Sequence, residues 1–338
     1  HTEPPEKHAK ELNDILELGN VNIYMAEGGT NFGFMNGANY YDRLTPDVTS
    51  YDYDALLTED GQITEKYKAF QEVISRFRKI PQVELTTRIG RTSYGEVPVK
   101  EKVGLFEALD SIAVPEEHFY PQPMEKLGQA YGYILYRSEL VRDKEIEKLF
   151  LFETNDRAKV YLDEKEIATL YDRELLAEKK VDKICGERLD ILVENMGRVN
   201  YGIRMERQNK GIKGAVVLNG HQHYKWTHYP LPLDNLERLP FGKGYTKGLP
   251  AFYRFEFVAE EQKDGYLDTF LDVSGFGKGC AFINGFNLGR FWEIGPQSRL
   301  YVPGPLIHAG KNEIILFETE GKAADKITLC AEPKLDMA

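Results

Sequence analysis

A chain of 338 residues is long enough for two or three domains with sizeable cores, and 42% hydrophobic against 29% charged residues is the balance of a globular protein. Its net charge of −11 disfavours nucleic acid and anionic membranes as partners and suits a neutral ligand. Three scattered cysteines, Cys185, Cys280 and Cys330, are too few for a disulfide framework or a thiolate zinc site, and no apolar run approaches the roughly 20 residues of a membrane helix.

Pro4 to Gly19 reads as an amphipathic helix, with Ala9, Leu12, Ile15 and Leu16 at helical spacing and Gly19-Asn20 as its stop. Val21 to Met25 is a short apolar run that predicts a strand. A long loop rich in Gly, Asn, Tyr and Asp follows, to Asp54, and a second helix is expected from Thr64 to about Lys79. Strand, loop, helix is one βα unit, and in a (β/α)8 barrel the loops after strands build the catalytic face. Flat aromatic rings with amides and carboxylates are the mixture that sugar sites use. One parallel strand cannot satisfy its own edges, so residues 1–80 are expected to need partner strands from a missing N-terminal barrel half.

Residues 81–117 read as a connector, with Val83 to Thr87 and Val103 to Leu109 as edge strands of a later domain. From Gly128 onward short alternating runs recur: YGYILYRSEL, KLFLFET, AKVYLD, KEIATL and RLDILVENM. The order repeats from Tyr266, with hairpin tips at Asp163-Glu164 and Asn284-Gly285. The fold class is therefore mainly β: two jelly-roll β-sandwiches after a C-terminal fragment of a (β/α)8 barrel. The expected division is 1–80 barrel unit, 81–117 connector, 118–232 first sandwich and 233–338 second sandwich. WTHYPLPLD, from Trp226 to Asp234, reads as a wedge between the sandwiches.

YMAEGGTNFGFMNGAN, followed by TSYDYDALLTEDGQITEKY and later by GFGKGCAFINGFNLGRFW, closely resembles the glycoside hydrolase family 35 β-galactosidases. Ala26-Glu27 departs from that family's pattern, where Phe and then His or an apolar residue is commoner. The resemblance implies galactose-binding-like sandwiches and retaining hydrolysis of terminal β-galactosyl groups, with no cofactor and no metal. It also implies that both catalytic Glu lie upstream of residue 1, so no catalytic residue is assigned here and the segment alone is expected to be inactive. Galactoside oligosaccharide is the implied ligand, with Tyr24 and Tyr53 at the family's galactose-contacting positions. Tyr201, in the loop closing the first sandwich, is a further candidate substrate contact. A homo-oligomer is compatible with this reading, and the absence of sequons and of a disulfide framework favours a cytoplasmic location.

Read without the resemblance, the same residues have blander roles. Tyr24 and Tyr53 would be packing residues at a barrel rim. Asp52 and Asp54 are better read as turn or ion-pair residues than as sugar acceptors. Glu27 is read as solvated or paired, not catalytic. His221, His223 and His228 lack a spaced third ligand type, and Trp292 is expected in a sandwich core. The alternative function, from a different class, is a non-catalytic carbohydrate-binding or structural module. Exposed Trp226, Trp292 or Tyr201 on a sheet face or loop tip would favour it.

Overall fold

A computed structural model describes residues 3–51, 54–81, 90–141, 145–261 and 265–334. Tyr53, Asp52 and the segment Val83 to Thr87 lie outside the described residues.

The N-terminal unit forms two helices, Pro5–Leu18 and Glu65–Phe77. Thr64 caps the second, its hydroxyl accepting the Tyr67 amide at 3.2 Å. Leu12 and Val73 are the buried apolar residues of the pair, each 4% exposed. The run Val21 to Met25 forms no strand. A parallel barrel strand is held by neighbours on both sides, and none of the described residues offers it one. The backbone instead leaves the helix as an irregular segment that exposes Tyr24.

The repeat read from the sequence is present in the sheet order. In the first half, strands Tyr133–Glu139, Arg188–Glu194, Arg157–Leu162 and Lys165–Tyr171 lie side by side in that order, all antiparallel. In the second, Ala251–Ala259, Gly310–Glu318, Lys278–Ile283 and Phe286–Trp292 lie in the matching order. Both hairpin tips are left-handed at both central residues: Asp163 and Glu164 at φ 46° and 64°, Asn284 and Gly285 at 48° and 83°. That is the two-residue turn whose twist matches its flanking strands.

A separate sheet completes the first sandwich, and the second is completed by further strands of one eight-stranded sheet. Lys179–Cys185, Glu145–Leu151, Val216–Leu218 and His221–His223 face the first, and Arg299–Val302, Thr269–Asp272 and Lys326–Cys330 extend the second. Trp226, Ile146 and Ile191 are among the buried residues of the first core, and Phe255, Leu271 and Leu316 of the second. Inward positions alternate along the strands because successive side chains point to opposite faces.

Two expectations are corrected. Gly95–Gly104 is a ten-residue strand paired on both sides, with Ala251–Ala259 and Lys326–Cys330, so it lies inside the larger sheet and not at its edge. Leu105–Ile112, expected as extended, is a helix. Leu105, Ala108, Leu109 and Ile112 fall at i, i+3, i+4 and i+7, and all four are buried. The presumed wedge also contains a full strand, Trp226–Leu231, paired with Tyr133–Arg137. One end of it buries Trp226 in the first core, while Tyr229 and Leu231 join a third cluster shared by both sandwiches.

That shared cluster brings Tyr133, Leu135 and Leu192 against Phe252, Phe282 and Phe317. Tyr133 meets Phe317 edge-on at 5.0 Å. Charges ring the apolar contact. Lys278 Nζ donates to Glu194 Oε1 at 2.6 Å, and Arg157 pairs with Glu320 at 2.9 Å. The two pairs cross in opposite senses between the halves. Each joins the first residue of a strand in one sandwich to the last residue of a strand, or to a residue two beyond it, in the other.

Two buried groups tie this core to pH in opposite directions. Burial raises the Glu318 carboxyl, against the amides of Glu320 and Gly277 that donate to it, and the net value is about 7. Its contribution is full below the ordinary carboxylate range and is lost as pH rises through about 7. Burial lowers His228 to about 4, so its contribution is present above the ordinary histidine value and is lost as pH falls. Glu318→Gln is therefore expected to gain stability relative to the native chain between pH 5 and pH 8. Urea unfolding at both values checks this, and an unchanged difference would contradict it.

Candidate functional site

The second helix brings Lys66 under the loop that ends in Asp54. Lys66 is only 7% exposed, and its ammonium lies 2.5 Å from the Asp54 carboxylate and 2.8 Å from the Asp54 carbonyl. The Glu3 amide donates to the same carboxylate at 2.8 Å. Asp54 itself is left-handed, φ 60°, which aspartate tolerates better than most residues. Burial raises this carboxyl, but Lys66 and the Glu3 amide outweigh it and hold it below its ordinary value. Asp54 is thus an ionised acceptor in an ion pair, one of the two roles expected from the sequence, with Lys66 as its partner.

A cavity of about 300 Å³ opens above this pair, lined by His8, Tyr24, Tyr51, Asp54, Lys66 and Phe70 among others. Tyr24 stands on its rim, 89% exposed. Glycoside hydrolysis normally needs two carboxyl groups across the scissile bond, one of them able to give up a proton. Asp54 is the one carboxylate among the described lining residues, and its lowered value suits the opposite task. The cavity can offer an aromatic wall and hydroxyl and charged partners to a polar ligand, without the acid–base pair. Glu27 is exposed, and its backbone bridges to Leu57.

Between Thr30 and Ser50 the long loop is a clamp on the sandwiches. The Gly33 amide donates to Asn287 O at 2.9 Å, the Thr49 hydroxyl to Arg290 O at 2.5 Å, and the Ser50 amide to Gln297 at 2.9 Å. Asn36 donates to Met196 O at 2.8 Å and accepts from Arg290, whose guanidinium covers the Phe34 ring. Phe34 stacks on Tyr131, and Phe32 meets Phe286 edge-on. Gly289, at φ 113°, allows this approach: a Cβ there would come within 2.7 Å of Thr49.

Gly37–Tyr40 pairs in parallel with Arg198–Val199, so the loop carrying Tyr201 is tied to the N-terminal unit. Tyr201 is 65% exposed at the tip of that loop and does not line the Tyr24 cavity. Trp226 is buried, and Trp292 is half-buried beneath Tyr171 and the cations of Arg157 and Lys278. His228 accepts the Gln122 amide at 3.0 Å, and His223 contacts the Ser138 hydroxyl at 2.8 Å. Among the described residues, no group of three or more His, Cys, Asp or Glu is placed to hold a metal ion. Lys66 and His8 were missed in the sequence. The signal for Lys66 was its place two residues beyond the Thr64 cap, on the first helical turn beside the loop.

Three segments match described families. Residues 1–77 match "Glycosyl hydrolases family 35", residues 121–232 "Beta-galactosidase, first all-beta domain", and residues 250–312 "Beta-galactosidase, galactose-binding domain". A Beta-galactosidase from Xanthomonas manihotis is 38% identical over 302 residues, covering 88% of this chain and 49% of that one. The chain belongs to glycosyl hydrolase family 35. Beta-galactosidase 17 of Arabidopsis thaliana is 35% identical over 92% of this chain and 50% of its own length. Human Beta-galactosidase-1-like protein 2 is 37% identical over 91% and 49%. This family 35 chain therefore spans about half the length of the curated relatives it matches. Its Tyr24 cavity falls within the family 35 match, and the clamp joins that segment to both β-galactosidase-type domains.

Proposed function

We propose that this chain is part of a retaining β-galactosidase that removes terminal non-reducing β-galactosyl groups from oligosaccharides. The family 35 match of the segment that lines the Tyr24 cavity carries this reading. In it, the two catalytic carboxyl groups come from an N-terminal barrel half outside this chain. Residues 1–80 supply one wall of the galactoside site, residues 81–117 a connection, and residues 118–232 and 233–338 the two sandwiches. Strand Gly95–Gly104, within the larger sheet, ties the connection to the second sandwich. Tyr24 and Tyr53 are proposed galactose contacts and Tyr201 a contact on the leaving-group side.

A tyrosine hydroxyl beside a carboxylate nucleophile can donate to it and keep it ionised, which helps only if the contact tightens in the transition state. Tyr24→Ala in the complete protein is then expected to lower kcat/KM for a β-galactoside by on the order of 10²-fold, the scale of one lost transition-state donor. Steady-state kinetics with β-galactoside and β-glucoside substrates make the test. Absence of β-galactoside turnover in the complete native protein would remove the assignment, and an unchanged kcat/KM in the variant would remove Tyr24 from the site.

A further inference from the structure

The surface of the first sandwich carries an aromatic platform that the proposed catalytic site does not use. Phe119, Tyr120 and Tyr224 are 53%, 50% and 39% exposed. They touch one another and leave their outer faces in solvent. Phe119 stacks on Tyr224 with centroids 4.9 Å apart and planes 21° apart. Tyr120 stands nearly perpendicular to both, at 5.0 and 5.6 Å. The three rings make a corner: a stacked pair with an upright wall. Exposed apolar atoms grouped in this way mark interaction sites more often than scattered single residues do.

The backbone holds the corner in place. Lys225 is left-handed at φ 68°, an uncommon conformation for a long side chain. Its amide donates to Phe119 O at 2.8 Å, and the buried Ser138 hydroxyl donates to its carbonyl at 2.6 Å. The next residue, Trp226, is 1% exposed in the core, so the turn that aims Tyr224 outward is anchored on both sides. A corner fixed by backbone bonds presents its rings without further ordering on binding.

We propose that Phe119, Tyr120 and Tyr224 form a non-catalytic binding site for a neutral, galactose-containing saccharide. Ring faces of this size match the C–H face of a pyranose, not the broad apolar area of a stable protein interface. The rings themselves carry two phenol hydroxyls, and the Tyr224 hydroxyl donates to the Gln222 amide oxygen at 3.4 Å. Neutral donors and acceptors suit sugar hydroxyls, and the net charge of −11 disfavours a polyanion. The choice of galactose among neutral sugars rests on the β-galactosidase reading above.

The test is native electrophoresis of the complete protein through gels containing soluble galactan, with a glucan gel as the control. The native protein is expected to be retarded by galactan, and Tyr120→Ala to weaken the apparent affinity about tenfold. Tyr120→Ala/Tyr224→Ala should abolish the platform-dependent retardation. Tyr120 is half exposed and its ring contacts are with the other two rings of the platform, so its variant is expected to keep the fold, as thermal unfolding would record. No retardation by either polysaccharide, or equal retardation of native and double-variant protein, would overturn the site. Hydrolysis is scored separately on a small β-galactoside. Platform-dependent retention without hydrolysis would leave this site and remove the glycosidase reading. Hydrolysis without such retention would remove this site alone.

Discussion

Replacing Glu194 with alanine is expected to lower the unfolding free energy by about 3–5 kcal/mol, the scale for breaking a buried ion pair from one side. Glu194 is 3% exposed, and Lys278 opposite it is 1% exposed. Burial pulls the Lys278 ammonium below its ordinary value, and Glu194 is the charge that opposes this. The Arg290 guanidinium lies 3.3 Å from the same carboxylate. Without Glu194, two cations face each other in the seam with no counter-charge, and neither can reach water without opening the contact between the sandwiches. The pair replaced as a whole, Glu194→Leu with Lys278→Met, should recover only the share of the loss that Lys278 causes, because Arg290 keeps its charge and still loses its carboxylate partner. Urea denaturation at pH 7 reads both variants. A loss below about 1 kcal/mol for Glu194→Ala would mean that water reaches the seam and that this ion pair adds little to the contact between the sandwiches.

The sandwiches were legible in the sequence because each strand carries its own signal. Leu189, Ile191 and Val193 alternate with residues facing the other cluster, and Asn284-Gly285 specifies its turn locally. The repeat was visible for the same reason: matching strands in matching order built matching sheets. The helix at Leu105–Ile112 carried a readable pattern too, but its short length and apolar content allow either period. Val21 to Met25 failed for a different reason. Its composition is that of a strand, yet a strand exists only through its neighbours, and a barrel strand's neighbours are non-local. At the candidate site, the resemblance singled out Tyr24, which lines the cavity, and residue type alone suggested an ion-pair role for Asp54. The Lys66 pairing was not, since no local spacing announces which cation a loop carboxylate will meet. The clamp of Thr30 to Ser50 on the sandwiches was hidden likewise, because Asn36, Arg290 and Met196 are brought together from three distant parts of the chain.

The clamp and the seam also bear on how the chain would work in a complete enzyme. Arg290 links Asn36 of the N-terminal loop, Asn195 of the first sandwich at 2.6 Å and Glu194 at the seam. The wall that carries Tyr24 is therefore mounted on the same ion network that joins the two β-galactosidase-type domains. In the proposed enzyme the sandwiches position that wall, and the carboxylates that break the bond stand opposite it.

In the proposed enzyme this chain supplies a wall and its support, and the catalytic pair comes from the barrel half. The direct measurement is turnover of a chromogenic β-galactoside by this chain alone and by the same chain joined to the proposed barrel half. Hydrolysis at the buffer rate is expected for the chain alone, and kcat on the order of 1–10³ s⁻¹ for the joined protein. Turnover by the chain alone would contradict it and would send the search for the catalytic carboxylates back to Glu27, Asp52 and Asp54.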